Sequence, residues 1–255
     1  MAALQDDKER VSKAPLKRAF SLKEPESSRY LDETSFCDCK HPVIQDIMQE
    51  VTGDCENEEE KARNIFYYAR DHIRFALMGS GIAMKASITA KMGYGDCGTK
   101  TNFHIALLRA AGIPARMRGI MAKISVLKGM IPGFLYFMVE KAKEDFHFWP
   151  ECYLRGRWIA CEGLFDQELY EGALKEGLVT RELIPGIEWD GRSNLVLLEP
   201  WKTVDLGDKP SWDDWYIDFK KRMATPRFID KLMEITIAPA CRRQTDRIRK
   251  RGQLI

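Results

Sequence analysis

Histidine is scarce in this chain, and neither a long apolar run nor an excess of one charge is present. Forty lysines and arginines face 38 aspartates and glutamates, so the formal charge of the 255 residues is only +2. Such a balance excludes the large basic excess that drives nonspecific nucleic-acid binding, and no nucleic-acid partner is expected. No stretch approaches the ~18 apolar residues that a membrane-spanning helix requires, so no transmembrane segment is expected.

The N-terminus lacks the features of a secretory signal. Its first ten residues, MAALQDDKER, carry acids where a signal peptide has a cationic region, and no apolar stretch follows. The seven cysteines are an odd number in a chain that is long enough to fold without covalent cross-links. We therefore expect a cytoplasmic protein with reduced thiols.

The segment FCDCKH (36–41) resembles one half of a metal site. Cys37, Cys39 and His41 are closely spaced, and Cys55 is a distant fourth candidate ligand. Structural zinc sites usually take their ligands as two closely spaced pairs, and no second pair follows here. A reduced surface loop is the better interpretation, and neither a metal nor an organic cofactor is predicted.

Apolar periodicity predicts three helices in the first half of the chain. They cover 43–51, 57 to about 75, and 97–111. Asp96 is a candidate N-cap of the third helix. The small residues of 78–96 indicate a loop that leads into it.

Strands are predicted further along the chain. Residues 115–121 are a candidate strand. Alternating residues in 146–154 and 158–162, separated by the turn Arg155-Gly156, predict an antiparallel hairpin. The combination indicates an α+β fold.

Composition divides the chain into three regions. Residues 1–35 mix charges with Ser and Pro without periodicity, and we interpret them as a flexible arm. Residues 36–219 hold the predicted helices and strands and are interpreted as one domain. Residues 220–255 are interpreted as a basic extension, since 220–251 contain eleven Lys and Arg against three Asp and Glu, a local charge of +8. Such an end is either a solvated helix or a surface that recruits an acidic partner, such as a carrier protein or nucleic acid.

A reactive thiol with an imidazole base can be assembled from few residues. Cys97 opens a predicted helix, where the positive end of the helix dipole favours a thiolate. His104 lies about 10 Å further along the same helix, too far for a hydrogen bond to Cys97. His147 lies in an alternating strand, from which an imidazole can face a helix end packed on the sheet. The remaining histidines, His41 and His72, lie in or beside the early helices.

A carboxylate near the hairpin completes the candidate arrangement. Glu162 lies on the strand that pairs with the one holding His147, and a carboxylate there fixes the tautomer of an imidazole. Cys97, His147 and Glu162 are therefore a candidate nucleophile, base and orienting acid. A buried structural cysteine is the commoner fate of any one cysteine, so the residue types alone leave both interpretations open. Asp96 disfavours a Cys97 thiolate by its charge, unless its carboxylate is engaged as an N-cap.

Three segments resemble the transglutaminase-like superfamily in order and spacing. They are NEEEKARNIFYYARDHIRF (57–75), GDCGTKTNFHIALLRAAGIPAR (95–116) and HFWPECYLRGRWIACEG (147–163). The resemblance implies a papain-like α+β fold in which the cysteine-bearing helix packs on an antiparallel sheet. It also makes 36–219 the catalytic domain.

The resemblance also implies roles for individual residues. The family nucleophile falls on Cys97 and its base on His147. The acid position, usually Asp, falls on Glu162, and Asp166 is the alternative acid. Thr99 and Lys100 lie near the family's Asp-Lys pair, without an assigned role.

The predicted reaction is acyl transfer from an amide or thioester through an acyl-enzyme on Cys97. The donor is a small-molecule or peptidyl acyl substrate, which a carrier protein could hold. A cysteine peptidase or amidase is the alternative within enzymes, and a noncatalytic binding module is the alternative outside them.

An apolar segment, GMIPGFLYFMV (129–139), lies between the candidate strand 115–121 and His147. It is either a core-packing helix or a wall of the site that covers an apolar acyl group. Contact with a membrane surface, aided by the flanking lysines, is a third interpretation. The second interpretation predicts that Phe134 and Phe137 contact the substrate.

Overall fold

A computed structural model describes residues 29–78, 84–223 and 233–253. Helices and one antiparallel sheet alternate along these ranges. The α-helices are α1 (Pro42–Thr52), α2 (Glu58–His72), α3 (Ala86–Met92), α4 (Cys97–Ala110), α5 (Gly133–Val139), α6 (Gln167–Lys175), α7 (Trp212–Met223) and α8 (Ala238–Gly252). The strands are β1 (Arg74–Phe75), β2 (Tyr94–Gly95), β3 (Ala115–Lys123), β4 (Glu144–Leu154), β5 (Arg157–Ala160) and β6 (Lys202–Lys209).

The main sheet has four antiparallel strands in the order β5-β4-β3-β6. The predicted hairpin is present, and its turn residues Arg155 and Gly156 both have positive φ, 53° and 78°. Positive φ at both central residues is what the right-handed twist of a two-residue hairpin requires. The second strand is shorter than predicted, so Glu162 lies two residues beyond the end of β5.

Helix α4 packs against β4 and forms the centre of the structure. The side chains of α4 are buried on almost every side, because α2 and α3 cover the faces of the helix that do not contact the sheet. Phe66 of α2 and Phe103 and Leu107 of α4 are fully buried in the largest apolar cluster. This packing holds the first residue of α4, Cys97, at the edge of the sheet.

Two sequence predictions differ from the structure around α2 and α3. The helix predicted to reach Phe75 ends at His72, because Arg74 and Phe75 pair as a parallel strand with Tyr94 and Gly95. The predicted loop 78–96 contains helix α3. At seven residues, α3 is too short to show a helical period in the sequence.

The described part of the predicted N-terminal arm contacts the domain. The ring of Tyr30 packs edge-on against Trp158 at a centroid distance of 4.9 Å. The carbonyl of Asp32 accepts a hydrogen bond from Arg109, and the Thr34 hydroxyl donates to Asp213. Residues 1–28 of the predicted arm lie outside the described residues.

Helix α8, from the predicted basic extension, packs on α6 instead of extending away from the domain. The two helices approach so closely that a Cβ on Gly172 would lie 2.0 Å from the carbonyl oxygen of Ile248. Arg249 is 2% exposed and binds Asp166, the N-cap of α6. Among the described residues, no helix has the length and apolar character needed to cross a bilayer.

Candidate active site

Cys97 is the first residue of α4, and a capping box fixes this end of the helix. Asp96 Oδ1 accepts hydrogen bonds from the Thr99 N–H and hydroxyl, both at 2.9 Å. Thr99 Oγ1 in turn lies 3.0 Å from the Asp96 N–H. Gly98 lies against the ring of Trp212, where a Cβ would meet a ring carbon at 2.8 Å. The position of Cys97 is therefore set by hydrogen bonds on one side and by an indole on the other.

His147 and Glu162 form a buried hydrogen-bonded pair. His147 Nε2 lies 2.8 Å from Glu162 Oε1, and the residues are 4% and 1% exposed. The second carboxylate oxygen of Glu162 accepts from the N–H groups of Leu197 and Leu198, at 2.5 and 3.4 Å. Because a carboxylate accepts hydrogen bonds, Nε2 is the protonated ring nitrogen, which leaves Nδ1 of His147 as a proton acceptor.

Cys97 and His147 line the same open cleft, whose empty space, including its opening to solvent, is about 560 Å³. The remaining wall is mostly apolar and comes from β1, from 122–130 and from the loop after β5. The lining residues besides Cys97 and His147 are Phe75, Leu77, Ala122, Lys123, Ile124, Val126, Leu127, Met130, Asp145, Phe146, Leu164, Phe165 and Leu198. A carbonyl group bound in this cleft would meet a thiol and an imidazole while its substituent contacts hydrocarbon.

The surroundings of Cys97 favour its neutral thiol. Burial raises the pKa of Cys97 well above its ordinary value, and the carboxylates of Asp96 and Asp145 raise it further. Nearby backbone N–H groups, including that of Phe148, oppose this shift. The sulfur lies 3.9 Å from the carbonyl oxygen of Phe146, which can accept its proton weakly. The expectation that the helix dipole stabilises a thiolate is thus outweighed by burial and two acids.

Asp166, the alternative acid, lies in a different environment. It caps α6 through the Leu169 N–H and binds Arg249 with both oxygens, at 2.9 and 2.6 Å. Burial alone would raise the pKa of Asp166, but the Arg249 guanidinium holds it below its ordinary value. Of the two carboxylates, Glu162 is the one that contacts His147.

Two buried polar residues of α4 lie behind Cys97. Lys100 Nζ donates to the carbonyl oxygens of Arg70 and Leu164, at 2.7 and 3.1 Å, and burial lowers the pKa of Lys100 to about 7. Burial likewise lowers the pKa of His104 to about 3, so its imidazole is neutral. Both side chains border a small cavity that Cys97 and Glu162 also line. In the sequence, Lys100 was noted only for its place near the family's Asp-Lys pair, without a role.

Within the apolar segment 129–139, Phe134 and Phe137 do not line the cleft, contrary to the prediction that they contact the substrate. Among its residues, Met130 lines the cleft. Phe134 and Phe137 lie on α5 and are 60% and 66% exposed. The buried side of α5, with Leu135, packs against Cys241 of α8. Helix α5 begins at Gly133 after Pro132, and periodicity in a segment of seven residues does not reveal which side of it is buried.

The FCDCKH segment is built into the core. Cys37 and Cys39 are 0% and 3% exposed, so the predicted surface loop is wrong. Burial raises the pKa of Cys37 to about 12. His41 Nδ1 accepts the Val43 N–H and caps α1. Within the described ranges, no group of three or more His, Cys, Asp or Glu side chains is arranged to hold a metal ion.

Comparison with known proteins identifies the segment that carries this site. Residues 45–163 match the family profile of the transglutaminase-like superfamily. This segment is similar to transglutaminase-like domains. The match includes Cys97, His147 and Glu162. The predicted α+β, papain-like fold is confirmed. The family supports cysteine-based catalysis in general terms.

One solved structure similar to the chain is that of a candidate cysteine protease from Cytophaga hutchinsonii. The two share 19% sequence identity with a TM-score of 0.49, over 76% of this chain and 50% of that one. The chain thus spans about half the length of that protein. A search of curated proteins gives no match.

Proposed function

We propose that this transglutaminase-like domain is an acyl transfer enzyme with Cys97 as nucleophile, His147 as base and Glu162 as orienting acid. The observation that carries the proposal is the convergence of three features at one cleft. A half-buried thiol begins a helix, an imidazole with one free acceptor nitrogen shares its cleft, and a buried carboxylate fixes that imidazole. Together these features suit nucleophilic catalysis by a thiol.

The raised pKa of Cys97 determines how the first step proceeds. Because the thiol is neutral at rest, its proton passes to Nδ1 of His147 as the sulfur attacks the acyl carbonyl. The new C–S bond forms as the carbonyl electrons move to oxygen, where the Cys97 N–H at the start of α4 can stabilise the charge. The imidazolium then protonates the departing amine or thiol as its bond to the acyl carbon breaks.

The acyl-enzyme is resolved by a second nucleophile. Water gives hydrolysis and an amine gives transfer, with His147 again accepting the proton from the attacking group. Glu162 holds the Nε2–H throughout and stabilises the imidazolium by its charge. Each step uses groups of the chain and the substrate.

The wall of the cleft suggests the class of acyl donor. Val126, Leu127 and Met130 on one side and Leu164 and Phe165 on the other present hydrocarbon to the space beside Cys97. A donor with a sizeable apolar body is therefore favoured over a short polar one. The finer alternative is a peptidase or amidase that accepts an apolar side chain in the same cleft.

A noncatalytic binding module is the second candidate, and the raised pKa of Cys97 favours it. A thiol with two carboxylates nearby is poorly reactive unless His147 accepts its proton when a substrate is bound. The cleft would then hold an apolar ligand without forming a covalent bond. This function differs from catalysis in whether a sulfur adduct forms.

Intact-mass analysis after incubation with an acyl thioester separates these functions. We expect one acyl adduct, mapped to Cys97, which Cys97→Ala abolishes and His147→Ala slows by about 10²–10⁴-fold. Cys55→Ser is the matched control, because Cys55 is the other half-buried thiol while the remaining cysteines are buried. An adduct on Cys55, or ligand binding without any adduct, would exclude the proposed chemistry.

A further inference from the structure

Helix α5 presents an apolar face to solvent. Phe134, Phe137 and Met138 are 60%, 66% and 66% exposed, and their spacing places them on one side of the helix. Phe137 and Met138 are the most exposed large apolar side chains in the described part of the chain. On the opposite side, Leu135 is 2% exposed and holds the helix to the domain. The exposed face is therefore fixed in place and has no covering partner within the described residues.

Lysines flank α5 on both sides in the sequence. Lys128 precedes α5, and Lys141 and Lys143 follow it, and all three are exposed. None forms an ion pair with a carboxylate among the described residues, and the Lys141 ammonium lies 5.9 Å from the ring centre of Phe137. Glu140 is the exposed acid among them, so the rim carries a net positive charge. Aromatic side chains with a cationic rim match the boundary between lipid acyl chains and anionic headgroups.

We propose that α5 docks on the surface of a membrane that contains anionic lipids, with Phe134, Phe137 and Met138 inserted at the headgroup boundary. A stable protein interface buries about 800 Å² on each partner, which a seven-residue helix with three exposed apolar side chains does not supply. Interfacial lipid contact needs only a few apolar side chains and nearby cations. The proposal concerns a surface opposite the packed side of α5, and it does not depend on the chemistry of Cys97.

Vesicle sedimentation of the full chain tests this surface. We expect the protein to sediment with vesicles of phosphatidylcholine and phosphatidylglycerol, less with phosphatidylcholine alone, and less again as salt is raised. Phe134→Gln with Phe137→Gln should lower the partition coefficient at least ~tenfold. Ile88→Gln with Leu183→Gln, which removes two exposed apolar side chains elsewhere, should leave it unchanged.

Charge reversal separates the cationic rim from the apolar face. Lys128→Glu with Lys141→Glu should remove the preference for phosphatidylglycerol and leave the weak binding to phosphatidylcholine. The proposal is wrong if the parent does not sediment with anionic vesicles, or if the Ile88 and Leu183 control loses as much binding as the Phe134 and Phe137 variant. It is also wrong if no vesicle binding is detected and the Phe134 and Phe137 variant abolishes self-association of the protein in solution without vesicles. Acylation of Cys97 is measured without vesicles, so the two proposals fail independently.

Discussion

Two buried carboxylates, Glu162 and Asp166, lie one helical turn of sequence apart and have different partners. Glu162 binds the His147 imidazole and two backbone N–H groups. Asp166 binds the Arg249 guanidinium with both oxygens and caps α6. Between them, Leu164 and Phe165 contribute to the wall of the cleft.

The comparison shows how one short loop serves both the site and the fold. An imidazole changes its protonation near neutral pH, so a carboxylate beside it can assist proton transfer. A guanidinium stays protonated, so the carboxylate beside it has only a structural role. The type of residue offered by the facing element, β4 for Glu162 and α8 for Asp166, determines the role of each acid.

Replacing each carboxylate by its amide should produce the largest effects we expect. The Asp166 substitution should lower stability, and the Glu162 substitution should lower turnover. Asp166→Asn removes the buried carboxylate partner of Arg249 and leaves only the partly exposed Asp246 beside its charge, so it should lower the free energy of unfolding by about 3–5 kcal/mol. Glu162→Gln should lower turnover by about 10²-fold, less than His147→Ala, because it weakens the orientation of a base that is still present. Urea unfolding and turnover per folded molecule provide the two measurements. A fully active Glu162→Gln beside an inactive but folded Asp166→Asn would reverse the assignment.

Lys100 lies behind the loop that joins the two acids, and its titration should appear in stability. The pKa of Lys100 is about 7 in the folded protein and ~10.4 in an unfolded chain, so between these values the unfolded state holds more protons. The free energy of unfolding should therefore rise with pH across this window, by at most ~1.4 kcal/mol per pH unit, relative to Lys100→Met. Urea titrations at a series of pH values measure the difference, with Lys91→Met as the exposed control. Parallel pH profiles for the parent and Lys100→Met would contradict the expectation.

The smallest effect concerns the apolar wall of the cleft. With the parent, lengthening an acyl donor by three methylenes should raise apparent affinity more than tenfold, at about 0.8 kcal/mol per buried methylene. Val126→Phe should reduce this slope by narrowing the cleft, whereas Phe137→Ala, on the exposed face of α5, should not. Rates with a homologous series of acyl thioesters give the slope. An equal slope in Val126→Phe and the parent would indicate that the chain binds elsewhere.

Local signals were sufficient for the elements that hold the candidate site. The apolar stripes predicted α2 and α4, and the Asp96 cap marked the start of α4, because caps and helical period are both short-range features. The Arg155-Gly156 turn likewise predicted the β4–β5 hairpin. Strand β6 was not predicted, since its residues are half-buried or exposed and show no alternation of apolar side chains.

Long-range partners could not be predicted from the sequence. Asp166 and Arg249 are 83 residues apart, and no spacing rule connects a loop acid to one of six Arg and Lys residues in α8. The raised pKa of Cys97 depends on burial and on Asp145, which reaches the cleft only through the register of β4. The sequence argument weighed the helix end against Asp96, and it missed the burial of the thiol and the second acid, Asp145.

The ring of Trp212 over Gly98 has a consequence for the order in which the site is completed during synthesis. Cys97 emerges from the ribosome more than a hundred residues before Trp212, which at ~5–20 residues per second is a delay of roughly 6–23 seconds. During that interval the start of α4 lacks the indole that covers it in the finished protein. The surroundings of Cys97 are therefore completed only after Trp212 has been made, and the nascent thiol is most accessible to oxidants before then.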